Sequence, residues 1–249
     1  MKTVRKRQMK DLMYFSKPEN VYCYHYERLG EKEKRLYRKL VDGMFRFQSS
    51  IIFWGTESDT IDEIYEKIKM DLPAAFFDEG IEVVWYPVLH QVKVRPRYRF
   101  SRQDAENILT EVLRRTEPLI ESCRSQTNLE KEKRIHDWFC ANVIYDDNYM
   151  QKMGGSSFEL AAPLLWGKGV CSGISKAAKF LFDQVGIRSI LMTGRTKDRL
   201  GTAGEEHCWL MVKIDDQRYH LDITFDITAK TQRYFNLTDR EILRDRILT

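Results

Sequence analysis

Three side chains in the second half of the chain have the types and local settings of a nucleophilic site. Cys171 heads the stretch "GVCSGISKAAKFLF", His207 lies in "EEHCWLMVKI", and Asp222 lies in "YHLDITFD". A thiolate can attack a carbonyl carbon, an imidazole can move the protons, and a carboxylate can fix the imidazole's tautomer and steady its cationic form. The order and context of the three fit a cysteine-nucleophile site.

Such chemistry needs elements that hold the three groups rigid. After "WGKG", Ile174, Ala177, Ala178, Leu181, Phe182 and Val185 recur at intervals of three and four, which predicts a helix starting at or just before Cys171. The first-turn amides and the positive end of that helix favour thiolate over thiol, and a neighbouring imidazolium pushes the same way. The bland alternative is a buried structural cysteine at a helix start. "HCWLMVKI" and "RYHLDITF" both alternate apolar and polar residues around Asp215, Asp216 and Gln217, predicting a hairpin. With a two-residue turn at Asp215 and Asp216, Trp209 lies opposite Asp222 and His207 opposite Thr224, so Asp222 sits diagonal to His207 on one face. His220, on the same strand as Asp222, is a less economical base, and Asp226, after the hydrophobic strand, suits a turn or cap better than an orienting role. Trp209 reads as packing beside the site, with one face able to shield it from water.

The remainder of the chain frames this unit. Glu31 to Phe47 places Leu36, Leu40, Val41 and Met44 on one helical face, and Asp59 to Leu72 does the same with Ile61, Ile64, Tyr65 and Ile68. Gly80 to Phe100 alternates valines and aromatics with polar residues, as short antiparallel strands or an extended crossing segment do. Asp104 to Ile120 is again helical, with Ala105, Ile108, Leu109, Val112, Leu113 and Ile120 inward. A further helix takes Asn128 as N-cap and buries Ile135, Trp138, Phe139 and Val143. These patterns divide the chain into a mainly helical region over 1–125, with a β segment near 81–100, and a catalytic region over 126–249. The loop from Asp146 to Gly155 reads as a surface connection, with the rim of an active site as the sharper alternative.

Composition narrows the function classes. The 249 residues are 43% hydrophobic and 31% charged, as in a folded soluble protein. Against 41 basic residues stand 37 acidic ones, and the formal charge of +4 defines no nucleic-acid face. The basic opening "MKTVRKRQMK" reads as a solvated tail or a starting helix. No apolar run long enough for a signal peptide or membrane span follows it, so the chain reads as cytoplasmic unless an upstream segment has been removed. Five cysteines at irregular spacings argue against a disulfide scaffold, and neither CxxC nor a histidine cluster supports a structural metal. "YDDNY" lacks the alternating oxygen ligands of a calcium loop.

"GKGVCSGISKAAKFLFDQVGIRSILMTG", "EEHCWLMVKIDDQRYHLDITFD" and the upstream "KEKRIHDWFCANVIYD" together resemble the transglutaminase-like domain family, a branch of the papain-like cysteine enzymes. The resemblance covers about Asn128 to Ile227, and the helical region before it is similar to extensions found in some bacterial members. It implies an α+β fold, with the nucleophile at a helix N-terminus packed against an antiparallel sheet. Matched motif by motif, the family's nucleophile falls on Cys171, its histidine on His207 and its aspartate on Asp222. The implied reaction is acyl transfer or hydrolysis on protein or peptide amides through a thioester, with a small amine as one acceptor and no cofactor required. Trp166, Gly169, Ser172 and Trp209 would lie near the substrate or the oxyanion. Two departures qualify the likeness. No glutamine precedes Cys171 to act as second oxyanion donor, leaving Trp166 or a backbone amide for that place. Ser172 stands where many animal crosslinking enzymes carry tryptophan, which argues against their glutamine and lysine specificity. A cysteine peptidase, a deamidase or a non-catalytic scaffold with the same shape are the competing readings; the oligomeric state is not legible.

Overall fold

The computed structural model describes residues 11–148, 156–197 and 201–248. The basic opening 1–10 and most of the loop read as a surface connection or rim, 149–155, lie outside the described residues. The chain divides into two compact units, one through Thr110 and one from Glu111.

Among the described residues, the first unit holds two short helices, α1 (Leu12–Phe15) and α2 (Tyr24–Glu27), followed by α3 (Glu31–Phe45) and α4 (Ser58–Asp71). Amphipathic spacing builds the longer pair: Leu40, Val41 and Met44 of α3 and Ile61, Ile64 and Ile68 of α4 are buried on the predicted faces. A three-stranded antiparallel sheet accompanies them, β1 (Ile51–Trp54), β2 (Asp78–Tyr86) and β3 (Gln91–Tyr98), in the order β1-β3-β2. Val92 and Val94 of β3 face Phe53 and Ile51 of β1 across one buried face. The segment read as strands or a crossing is therefore the β2–β3 hairpin. The division between units falls inside α5 (Arg102–Ser122), whereas the sequence reading divides the chain after that helix, at 125/126.

The second unit places helices on a four-stranded antiparallel sheet, which makes it α+β. Its elements are α6 (Asn128–Asn142), β4 (Ile144–Tyr145), α7 (Ala161–Trp166), β5 (Lys168–Gly169), α8 (Cys171–Val185), β6 (Arg188–Lys197), β7 (Ala203–Ile214), β8 (Gln217–Leu221), α9 (Ile223–Ala229), α10 (Asp239–Ile242) and β9 (Arg246–Leu248). The sheet order is β8-β7-β6-β9, while β4 and β5 form a separate parallel pair. Helix α8 packs on β6 and β7, and Ile174, Ala177, Ala178, Leu181 and Phe182 are buried as their spacing predicts.

Three local expectations need correction. Thr127, not Asn128, caps α6: its hydroxyl accepts from the Glu130 N–H, and Glu130 returns a bond to the Thr127 N–H in a capping box. The buried stripe of α6 holds Glu132 and His136 beside Ile135 and Phe139, while Trp138 is only half-buried. The strand expected to run through Phe225 stops at Leu221. Asp215 and Asp216 do form the tight turn, both with positive φ (46° and 68°), and Ile214 pairs with Gln217. The ladder runs out at Leu210 opposite Leu221, and Asp222 becomes the N-cap of α9 through its bond from the Phe225 N–H, 3.1 Å. Thr224 is thus helical and has no strand partner.

Gly173, two residues after the candidate nucleophile, lets α8 approach the backbone of Ser157. A Cβ at that position would stand 2.2 Å from the Ser157 carbonyl oxygen, a main-chain atom that cannot swing aside. Gly173→Ala is therefore expected to destabilise the protein by about 1–3 kcal/mol in chemical denaturation. A loss within about 0.5 kcal/mol, the usual range for an innocuous surface change, would contradict this packing.

Candidate active site

Cys171 is the first residue of α8, half-buried, with Val170 as the extended cap residue before it. Its thiol lies within electrostatic reach of the His207 imidazole and of the backbone N–H groups of Ser172 and Cys208. Burial alone would raise the thiol's pKa. The imidazole, its charge and the two amide donors outweigh burial and bring it below the usual thiol value.

His207 is delivered by β7, opposite Gly194 of β6. Its Nε2–H donates to Asp222 Oδ2 at 2.8 Å, so Nδ1 is the ring nitrogen left for the thiol. Burial presses the imidazole's proton affinity down, but the bonds to Asp222 and Cys171 and their charges lift it to about 9. One face of the ring stacks on Trp209, 5.9 Å between centroids at 14°, and Phe225 meets it edge-on at 5.0 Å. The Ser175 hydroxyl donates to the Cys208 carbonyl at 3.1 Å, fastening the first turn of α8 to the strand position beside His207.

Asp222 is fully buried. Oδ2 accepts from His207 and, at 2.7 Å, from Arg246 Nη2; Oδ1 accepts from the Phe225 N–H. Burial would raise this carboxyl's pKa, but the bonds and charges of His207 and Arg246 carry it below the usual carboxylate value. The expected pairing of His207 with Asp222 is thus present, reached from a helix cap and not from a diagonal strand position.

The four neighbouring positions are placed as follows. Trp209 is wholly buried, and its indole N–H donates to His220 Nδ1 at 2.9 Å. His220 Nε2 in turn donates to Asp239 at 3.0 Å, so both nitrogens of this second histidine are engaged away from Cys171. The Ser172 backbone amide helps lower the pKa of the thiol, and the Ser172 hydroxyl is buried with no partner among the described residues. Gly169 pairs with Tyr145 in the short parallel ladder, close to Pro163. Trp166 ends α7 and is 59% exposed. Asp146, at the start of the candidate rim, is buried and accepts from the Ser157 hydroxyl at 2.6 Å.

Two partners of the site escaped the sequence reading. Arg246, brought by β9, touches Asp222 directly. His136 of α6 bonds Asp226 Oδ2 at 3.0 Å through Nε2 and Asp137 at 3.1 Å through Nδ1, and Cys140 Sγ lies 3.6 Å from Nε2. Burial opposes the charged form of His136, but these partners raise its pKa to about 10. Asp226 therefore anchors α9 one turn beyond Asp222, as a structural acceptor. The signal for His136 was a polar residue on the apolar stripe of α6; Arg246 left no local signal.

These shifts set a pH dependence. His136 and His207 bind protons more tightly folded than unfolded, so their stabilisation is complete below the unfolded histidine value of about 6.5 and fades as pH rises through about 9 and 10. Unfolding free energy should fall across that range, and His136→Gln should flatten the slope. A slope unchanged by the substitution would contradict a charged His136.

Residues 115–223 match the profile of the transglutaminase-like superfamily. Among solved structures, a TGase aligns at 13% identity over 70% of this chain and 50% of its own, with a TM-score of 0.38. The periplasmic domain of TgpA from Pseudomonas aeruginosa, bound to ethylmercury, aligns at 15% identity over 58% and 59%, TM-score 0.38. A candidate cysteine protease from Cytophaga hutchinsonii aligns at 15% over 58% and 61%, TM-score 0.33. The chain thus spans between 50% and 61% of the length of these proteins. No curated protein sequence matches it. The likeness that a family profile supports is therefore to the transglutaminase-like superfamily, over residues 115–223.

Proposed function

We propose that the second unit catalyses acyl transfer or hydrolysis on protein or peptide amides through a thioester on Cys171. The observation that carries this reading is the continuous chain from the Cys171 thiol, at a helix start, through His207 to a buried, ionised Asp222. Each link supports the next: Asp222 holds the imidazole with Nδ1 toward sulfur, and the imidazolium with the helix-start amides favours the thiolate.

In the scheme that follows, the thiolate attacks the carboxamide carbon and the carbonyl electron pair moves onto oxygen. The backbone N–H of Cys171, in the first turn of α8, is a suitable donor to that oxyanion. His207 gives its Nδ1 proton to the departing nitrogen as the C–N bond breaks, leaving a thioester and neutral imidazole. Water or a primary amine then attacks the thioester carbon. His207 takes a proton from it, and the C–S bond breaks to restore the ion pair. Asp222 keeps the ring oriented throughout, while Trp209 and Phe225 exclude water from two sides of it. The scheme calls on no cofactor. Its thiol chemistry suits a reducing compartment such as the cytoplasm, and none of the five cysteines forms a disulfide.

Among the described residues, no helix is long and apolar enough to cross a membrane. The proposed substrates are proteins or peptides, with small amines as acceptors.

Incubation with a pool of glutamine- and asparagine-containing peptides, with and without a small primary amine, tests the reading by intact-mass spectrometry. An acyl adduct should form on Cys171 with loss of ammonia or an amine, and peptide-amine products should mark transfer over hydrolysis. His207→Ala should slow adduct formation by about 10²–10⁴-fold. Turnover that survives Cys171→Ser would contradict the proposal.

A further inference from the structure

Arg246 lies beyond the 115–223 segment that carries the superfamily match, yet it reaches the innermost group of the candidate site. It arrives on β9, which pairs with β6 on the side away from β7. The sheet is built to admit that strand: a Cβ on Gly194 would stand 2.3 Å from the Ile247 carbonyl oxygen and 2.8 Å from the Trp209 ring. The guanidinium is buried, 1% exposed, and directed on several sides. Nη2 donates to Asp222 Oδ2, Nη1 donates to the Asp245 carbonyl at 3.0 Å and lies 3.1 Å from its carboxylate as an ion pair, and the cation lies 3.9 Å over the Phe225 ring.

The oxygen that holds His207 is the one that Arg246 also holds. In the proposed cycle, His207 loses its proton to the leaving nitrogen and for a time presents neutral imidazole to a carboxylate with no exposure to water. A buried carboxylate in that position takes up a proton unless another cation stays beside it. An arginine cannot give its proton away, so it supplies the standing countercharge. The same fixed charge opposes the imidazolium, offsetting part of the pull that Asp222 exerts on its proton. The charged and titratable groups around His207 are Cys171 from α8, Asp222 at the cap of α9, and Arg246 from β9. Beyond these lie Asp245, which accepts from the Tyr234 hydroxyl at 2.8 Å, and His220 behind Trp209. Asp245 is the more solvent-exposed carboxylate on Arg246, so water screens its charge more than that of Asp222.

We infer that Arg246 is a positioning residue of this site: it keeps Asp222 ionised through the cycle and holds the proton affinity of His207 low enough for the imidazolium to release its proton to a leaving amine. The inference rests on the reaction proposed above, in which His207 alternates between its charged and neutral forms.

Nuclear magnetic resonance of protein labelled with ¹⁵N-histidine gives a direct test through the titration midpoint of His207, followed in the unsubstituted protein and in Arg246→Met, Arg246→Gln and Arg246→Lys. Thermal unfolding identifies the variants that are folded. Loss of the cation should raise the midpoint by about one pH unit in either neutral variant, and lysine should hold it near the original value. A folded Met or Gln variant whose midpoint stays where it was, or a lysine variant that shifts as far as they do, would overturn the inference. If neither neutral variant folds, a lysine variant that folds but shifts upward also overturns it. A separate outcome concerns the reaction itself: if the His207 midpoint in the unsubstituted protein is unmoved by Cys171→Ala, the thiol and imidazole are uncoupled, and the proposed chemistry fails whatever Arg246 does.

Discussion

A carboxylate with no exposure to water governs the second unit. Asp222 is stable as an anion there because two cations and an amide converge on it, from β7, from β9 and from the first turn of its own helix. Removing any one leaves part of the charge unpaired in a region where water cannot replace it. The need to satisfy Asp222 therefore fixes where the histidine strand, the arginine strand and α9 must meet. That meeting point aims His207 at the thiol, so the geometry of the candidate chemistry follows from a requirement of folding.

The surrounding contacts restrict what could blur this arrangement. Tyr234 accepts from the Asp222 N–H through its carbonyl and donates its own N–H to Asp226, so the cap residue and the residue one turn later are pinned to the same stretch of chain. Asp226 is held from α6 by His136, and Trp209 is held by His220, which is held by Asp239. Burial lowers the pKa of His220 despite its bond to Asp239, which favours the neutral ring that accepts from Trp209. A ring stacked on His207 is thereby fixed by polar bonds as well as by packing. Such fully engaged buried networks favour one arrangement over its close alternatives.

What the sequence discloses about this unit depends on how local each partnership is. The helix behind Cys171 is written in apolar spacing, and the hairpin at Asp215 and Asp216 in alternation around two residues that tolerate positive φ. Asp222 is legible as a residue but not as an element. "YHLDITF" alternates like a strand, and the aspartate's capping bond to Phe225 overrides that pattern to start a helix. Arg246 and His136 meet their carboxylates across 24 and 90 positions of chain, distances over which periodicity carries no information. In the first unit the two long helices, α3 and α4, are plain from their faces, whereas the four-residue α1 and α2 are too short to show one. The four-residue strand β1 is too short to announce itself and is defined by its pairing with β3.

The central claim is that Cys171 and His207 form an ion pair held by Asp222. The rate of iodoacetamide alkylation at each cysteine, followed by mass spectrometry across a pH series in the native protein and in Asp222→Ala and His207→Ala, tests it most directly. The account predicts fast labelling at Cys171 alone at neutral pH, with the onset displaced to higher pH in both variants. Labelling of Cys171 that follows an ordinary thiol, indifferent to either substitution, would contradict it.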